Sequence, residues 1–198
     1  AEIQNDVTSP FARYITPYLL SALSKADLKD DNNKKALSYL SEWNGDFSSQ
    51  SIGGLIFSIT LIKLLENIYS DEMNLLGDNY YKYWIGPVGA SGNWGIPLRN
   101  LRGIMASGGS SWVDDVQTPN HIESLDEVII ISFKAGLEEL KLILGSSPSG
   151  WWWGRLHTLT HNHSIGKASP FLDRFFNFNV GPFESEGSST TVNNGEYS

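Results

Sequence analysis

Residues 151–166, WWWGRLHTLTHNHSIG, are the most distinctive stretch of this 198-residue chain. They contain three consecutive tryptophans and three of the four histidines. Side chains from Leu156 to His161 follow a period of two, which predicts a β-strand. A second distinctive run follows at residues 176–194, FNFNVGPFESEGSSTTVNN. Because a strong helix signal comes just before both runs, residue 151 marks a change from helical to extended chain.

That helix signal covers residues 124–144. Ser124 and Glu127 form a capping box, and the apolar face behind them repeats at intervals of three and four residues. Gly145 stands where a left-handed residue commonly ends a helix. The sequence therefore predicts a helix with both ends defined.

A second helix signal covers residues 48–69, which are apolar on most sides and therefore predict a buried helix. Gly53 and Gly54 weaken an isolated helix, so we expect another element to approach closely at that point. A shorter helix is predicted around residues 98–105.

The N-terminal part of the chain predicts two further helices. In the first, residues 11–23 have helical spacing and Ser9 is a suitable cap. Pro17 lies inside this pattern and predicts a kink or a late helix start. Residues 25–35 are charged and rich in asparagine, which indicates a solvated connection. Residues 36–43 then predict a short second helix.

These signals predict an α+β chain that is predominantly α-helical, with a few strands near its C-terminus. We expect a helical lobe at residues 1–150 and a strand and loop segment at residues 151–198, which carries the sequences WGRLHTLTH and NVGPF. The end of this segment, residues 184–198, is expected to be loop with a short strand at 190–192. An aromatic patch at residues 80–84 precedes a predicted loop at 86–95.

Composition excludes some classes of function. The net charge of −8, with no basic run, argues against a nucleic-acid surface. The chain has no cysteine, which excludes disulfides and thiolate chemistry. The longest apolar stretch is interrupted by Lys63 and Glu66, so no membrane span is predicted. Nothing in the sequence determines the compartment.

The histidines are the first candidates for chemistry. On a regular strand His157, His161 and His163 point to one face, where imidazole nitrogens can bind zinc or copper. The alternative is a half-buried strand whose polar side chains bond to neighbouring backbone. Because no acidic or further histidine ligand has diagnostic spacing nearby, the alternative is favoured.

Other polar and aromatic clusters also have a structural interpretation. A calcium site at Asp27, Asp30 and Asp31 lacks the glycine and glutamate of an EF-hand loop. Solvated loop carboxylates are favoured there and at Asp114 and Asp115. Residues 151–153, the tryptophan triplet, can stack a sugar or an aromatic ligand, but core packing is favoured. We assign no catalytic, cofactor-binding or metal-binding residue from the sequence.

The two distinctive runs resemble the penicillin acylase (penicillin amidase) family. The matching residues of the first run are Trp153, Gly154, Arg155, Leu156, His157, Thr158, Thr160, His163 and Gly166, with Ser164 and Ile165 where the family has proline and leucine. The matching residues of the second run are Phe178, Asn179, Gly181, Pro182, Phe183, Gly187, Thr191, Val192 and Asn193. Upstream, IQNDVTSPFARYITPYLLSAL from Ile3 and LSEWNGDFS from Leu40 are similar to the family's lead-in helix and turn.

The resemblance implies an amidohydrolase of the N-terminal-nucleophile class, with a four-layer αββα architecture. In that family a serine at the start of the larger chain attacks an amide carbonyl, and its own α-amino group is the base. The histidine at the position of His157 belongs to the scaffold, which weakens the metal hypothesis further. No catalytic role can be transferred to any residue here, and Ala1 has no nucleophile.

We therefore expect a scaffold piece, inactive alone, from inside or near the end of the larger chain. Its substrate would be an N-acyl amide such as a β-lactam side chain or an acyl-homoserine lactone. Its expected partner is the remainder of the acylase precursor, with self-association as a risk of unpaired strand edges. The alternative is a non-catalytic binding module that uses the aromatic surface at residues 80–84 or 151–153.

Overall fold

The computed structural model describes residues 3–85, 95–163 and 179–193, together with Phe171 and Arg174. This part of the chain is mostly helical, with one small antiparallel sheet near its C-terminal end. The elements are α1 Pro10–Leu23, α2 Asp31–Glu42, α3 Ile52–Asn74, α4 Tyr80–Ile85, α5 Gly95–Ser107, α6 Leu125–Leu144, β1 Thr158–His161 and β2 Val180–Glu184. Short 3-10 turns lie at Ile3–Asn5, Ser111–Val113, Pro148–Gly150 and Trp153–Arg155.

Helix α3 is the centre of the core and packs against α2, α4 and α6. Its side chains are apolar on most sides, as a helix surrounded by other elements requires. By length and apolarity alone α3 could cross a membrane, although the sequence predicted no membrane span; 67% of that apolar window is buried inside the fold, as in a core helix. The charge of Lys63 is compensated, because its ammonium group pairs with Glu66 at 3.1 Å and with Glu139 of α6 at 2.9 Å.

Serine caps determine where three of the helices begin. Ser9 accepts the backbone N–H of Ala12 at 3.0 Å, and the capping box of Ser124 with Glu127 is complete. Both caps were predicted. Helix α3 begins later than the predicted residue 48, because Ser51 is its cap, and it continues past the predicted residue 69 to Asn74.

The close approach predicted at Gly53 is confirmed. A Cβ atom on Gly53 would overlap the side chain of Trp43, which lies just after α2. The rings of Trp43 and Phe57 pack with centroids 5.1 Å apart. The glycine therefore allows the indole to lie directly on the first turn of α3.

Three other predictions about the helices need correction. The second half of the predicted solvated connection is helical, because Asp30 accepts the N–H of Asn32 at 2.9 Å and begins α2 at Asp31. Gly145 has a positive φ of 89°, but its ψ of 168° is not that of a left-handed helical cap. Pro17 lies within α1, which begins at Pro10 and not late.

The predicted strand is confirmed for residues 158–161, where β1 pairs with β2. Leu159 lies opposite Phe183, but His161 lies opposite Val180, so β2 has one extra residue between the two pairs. The predicted strand at 190–192 was wrong: this segment is a turn, in which the hydroxyl of Thr191 accepts the N–H of Ser188 at 2.8 Å. Residues 86–94 of the predicted loop lie outside the described residues.

Candidate functional site

The distinctive sequence runs meet at one place, which we call the motif junction: Ser9, Phe47, Trp153, His157, Gly187 and Thr190. It lies where the loop after β2 contacts the helical part of the molecule. Three short segments build it: the start of α1, the residues before α3, and the 3-10 turn Trp153–Arg155. Whether its polar groups could act on a ligand depends on the hydrogen bonds that they make within the chain.

Trp153 joins the two parts of the chain. Its backbone N–H donates to Ser51 at 2.9 Å, and that of Gly154 donates to Ser49 at 2.7 Å. Its ring meets Phe47 edge to face with centroids 5.1 Å apart. Its indole N–H donates to the carbonyl of Gly187 at 2.8 Å. Backbone, ring and indole nitrogen are thus all engaged in packing.

His157 is fixed by Trp153 and by the loop after β2. The two rings stack with centroids 4.6 Å apart and planes 18° apart. Nδ1 of His157 lies 3.0 Å from the carbonyl oxygen of Ser185, and the Ser185 N–H donates to the carbonyl of His157 at 2.9 Å. Since a carbonyl oxygen can only accept, this contact assigns the hydrogen to Nδ1.

The structure does not place the three histidines as a regular strand would. His157 precedes β1 and stacks on Trp153. His161 lies at the register shift, with its ring centroid 6.4 Å from that of Phe183, and His163 follows the strand. Within the described residues no group of three or more histidine, aspartate or glutamate side chains is placed to hold a metal ion. The shared face that the metal hypothesis needs is therefore not formed.

Three hydroxyl groups close the junction beside α1. The hydroxyl oxygens of Ser9 and Thr190 are 2.7 Å apart, and those of Thr190 and Ser188 are 3.0 Å apart. Ser9 is fully buried and also caps α1. The N–H of Gly187 donates to the carbonyl of Phe47 at 2.8 Å. These hydrogen bonds hold the turn at residues 187–190 against the start of α1.

The tight turn at Gly187 needs a glycine. Its φ is +81°, and a Cβ atom there would overlap the carbonyl group of Asn193. The same turn is tied to the N-terminal segment, because the N–H of Asn193 donates to the carbonyl of Asp6 at 2.9 Å. The glycine and this bond hold residues 187–193 against the helical part of the molecule, so the segment does not extend as a strand.

The tryptophan triplet packs as the sequence favoured. Trp151 is fully buried, and its indole N–H donates to the carbonyl of Gly145 at 2.8 Å. Trp152 donates to the carboxylate of Glu184 at 3.1 Å and lies under the guanidinium of Arg155, 5.1 Å from the ring centroid. These contacts attach β2 to the helices, so this aromatic surface is used within the chain.

A separate cleft of about 520 Å³ lies between α3, α4, α5 and the 3-10 turn Ser111–Val113. We call it the aromatic cleft. The ring of Tyr69 lies 5.6 Å from that of Trp84 and 5.7 Å from that of Trp112, measured between centroids. Burial raises the pKa of Tyr69 to about 12, so its phenol stays protonated. Arg99 on α5 also lines the cleft.

The sequence identified only part of this cleft. Of the predicted aromatic patch at residues 80–84, Trp84 lines it, Tyr81 is buried and Tyr83 is exposed. Trp112 and Arg99 were missed because each is a single residue with no motif around it. Only the tertiary fold places them beside Tyr69.

The predicted carboxylate clusters are dispersed. Asp30 caps α2 and pairs with Lys141 at 2.7 Å, and Asp31 pairs with Lys34 at 3.0 Å. The lysine bond and the Asn32 N–H hold the pKa of Asp30 below its usual value. Each of these contacts is local or an ion pair, as expected for solvated carboxylates.

Comparison with known proteins places these motifs in one family. A sequence model of the penicillin amidase family matches residues 1–198. The acyl-homoserine lactone acylase QuiP of Pseudomonas syringae pv. syringae is 27% identical over 177 residues, which cover 88% of this chain and 20% of that protein. The protein of the same name from Pseudomonas syringae pv. tomato is 28% identical over 139 residues, 70% of this chain and 16% of that protein. The chain thus spans about a fifth or less of the length of these curated relatives.

Proposed function

The chain belongs to the penicillin amidase family, and on that premise we propose that it is a scaffold piece of an acyl-amide hydrolase. The observation that carries this proposal is the motif junction. Its most distinctive polar groups are engaged in contacts within the chain: the indole N–H of Trp153, the Nδ1 of His157 and the hydroxyl of Ser9. Side chains held in this way position the elements that they join, which is the role of a scaffold.

The reaction assigned to the parent enzyme is hydrolysis of a linear amide. A serine at the start of the larger chain would attack the amide carbonyl, with its own α-amino group as base. We place this nucleophile in the remainder of the precursor. This 198-residue chain would support the walls around that site. No cofactor is needed for this chemistry.

The remainder of the precursor is also the proposed partner. In a four-layer αββα architecture β1 and β2 would add to a sheet completed by other strands. The exposure of β2 supports this, because all five of its residues are exposed, with Phe183 at 52%. A hairpin on its own is marginally stable, and exposed edges favour pairing with a further strand.

The relatives suggest the substrate class. Both are named acyl-homoserine lactone acylases. We propose that the parent enzyme cleaves the amide of an N-acyl-homoserine lactone or of a β-lactam side chain. The acyl group it prefers would be set by residues of the parent's pocket.

The test is amide hydrolysis on a panel of chromogenic acyl-anilides and N-acyl-homoserine lactones. The 198-residue chain is compared with the product of the whole open reading frame. We expect turnover by the latter and none by the former. Turnover by the isolated chain would overturn the scaffold role, and silence from both would overturn the hydrolase.

A second candidate function is a binding module, and the aromatic cleft favours it. Three aromatic rings and the cation of Arg99 line a cleft of about 520 Å³. Such a surface suits a planar ligand that carries a negative charge. This candidate predicts that aromatic carboxylates quench the chain's tryptophan fluorescence, and that Arg99→Ala weakens the quenching.

A further inference from the structure

Two adjacent carboxyl groups, Asp71 and Glu72, lie near the C-terminal end of α3, which packs against the 3-10 turn Ser111–Val113. Asp71 is 8% exposed. Its Oδ2 accepts the backbone N–H of Val116 at 2.9 Å. Asp71 therefore ties the chain after the 3-10 turn to the central helix.

The remaining oxygens of this pair lack donors. Oδ1 of Asp71 and Oε2 of Glu72 are buried, and no group in the described ranges donates a hydrogen bond to either. The two residues are consecutive in the chain, and the Asp71 side chain is one of the causes that raise the pKa of Glu72. Two ionised carboxylates can only accept, so they would repel without satisfying either oxygen. One proton between them supplies the missing donor and removes one charge.

The surrounding charges favour the protonated pair. Burial and then the Asp71 side chain raise the pKa of Glu72 to about 7, and the carboxylate of Asp115 adds to the rise. On α4, which packs against α3, burial is the chief cause of the raised pKa of the Tyr81 phenol. In the fastened segment, Oδ1 of Asp114 is also buried without a donor among the described residues. At the same end of α6, Glu127 is held by its capping bonds and by His121 at 3.5 Å.

We propose that Asp71 and Glu72 share one proton that fastens residues 114–118 to α3, and that this fastening loosens when the proton is lost. Val113 is 2% exposed and stays anchored in the core, so the loosening is confined to the residues that follow it. Trp112, a wall of the aromatic cleft, precedes this anchor, so the cleft should keep its shape when the proton is lost.

The direction in which stability changes with pH follows from the two protonation states of Glu72. The pKa of Glu72 in the folded chain, about 7, lies above its ordinary value of 4.5. The folded state therefore holds the proton more tightly than the unfolded state does. The stabilisation is complete below pH 4.5 and is lost as the pH rises through 7.

The experiment is amide hydrogen exchange at residue 116 of the intact chain between pH 5.5 and 8.5, corrected for intrinsic exchange rates. The carboxyl carbons are followed by NMR in the same samples. We expect the Glu72 carboxyl to titrate near pH 7, and the protection factor of the Val116 amide to fall by about tenfold between pH 6 and pH 8.

Two variants and a control separate the shared proton from other causes. Glu72→Gln donates a permanent hydrogen bond to Asp71, so its Val116 protection should not change over this range. Asp71→Asn removes the neighbouring charge but not the burial, so the carboxyl of Glu72 should titrate at a lower pH than in the unaltered chain. Glu42→Gln, an exposed change at the end of α2, should keep the original profile.

Three results would overturn the proposal. One is an ordinary titration of Glu72 in the unaltered chain. Another is a pH dependence that survives in Glu72→Gln. The third is protection that rises with added calcium and falls with a chelator, which would show that a cation and not a proton joins the two carboxylates.

Discussion

The helical lobe and the hairpin are stabilised in different ways. The lobe, α1 to α6, encloses its own core, in which Phe133, Leu64 and Leu140 are fully buried. The hairpin, β1 with β2, has no fully buried residue: β2 is exposed, with Val180 at 51%, and β1 is at most half-buried. Its position depends on contacts of Trp153 and the turn after β2 with the lobe. We therefore expect the lobe to be stabilised by its own apolar core, and the hairpin by its contacts with the lobe.

The largest expected difference in stability is between two phenylalanine variants, one in each region. Phe133→Ala on α6 removes a fully buried ring, which should lower the free energy of unfolding by about 3–5 kcal/mol. Phe183→Ala on β2 removes a ring that is 52% exposed and should cost about 1 kcal/mol or less. Urea denaturation of both variants measures the difference. Equal costs would show that the hairpin has a core of its own.

The elements that followed from the sequence are those whose cause is local. The start of α6 is determined by Ser124 and Glu127, three positions apart, and both bonds form. The start of α2 was missed because its first turn is charged and rich in asparagine and has no apolar periodicity, although Asp30 caps it by accepting the N–H of Asn32. The residues TTV at 190–192 have strand-forming side chains, but the hydroxyl of Thr191 bonds within the turn. In both segments a side-chain bond to the backbone outweighed the general preference of the residues.

The motif junction shows the same limit of prediction from the sequence. The residues of the junction could be picked out from the sequence as family motifs, but their contacts could not. Ser9 and Thr190 are 181 positions apart, and neither belongs to a pattern that pairs them. The aromatic cleft was even harder to predict from the sequence, because Trp112 and Arg99 each stand outside any motif.

A double-mutant cycle at Ser9 and Thr190 tests how strongly the turn is held by the lobe. Ser9→Ala should cost about 1–2 kcal/mol, because it removes the cap of α1 and the bond to Thr190. Thr190→Val should cost about 1 kcal/mol. We expect the double variant to cost less than the sum by about 0.5–1 kcal/mol.

Ser124→Ala is the matched control for that cycle. It also removes a cap, but its bonds stay within the first turn of α6. Its cost should therefore add to that of Thr190→Val without coupling. Coupling of the same size for Ser124 would mean that the cycle reports general loosening, not the contact between lobe and turn. Thermal and urea unfolding measure the three single variants and the two double variants.

The smallest expected effect is confined to the lobe and concerns acid stability. The ammonium of Lys141 and the N–H of Asn32 hold the pKa of Asp30 below 3.8, so its contribution is complete above that pH and is lost as the pH falls through the folded-state pKa. Asp30→Asn should flatten the fall of Tm between pH 4 and pH 2. Asp27→Asn, whose carboxylate meets Lys29 only at 3.7 Å, should leave it unchanged. Because neither aspartate touches the hairpin, exchange at β1 and β2 should be the same in both variants; altered exchange there would show that lobe and hairpin unfold as one unit.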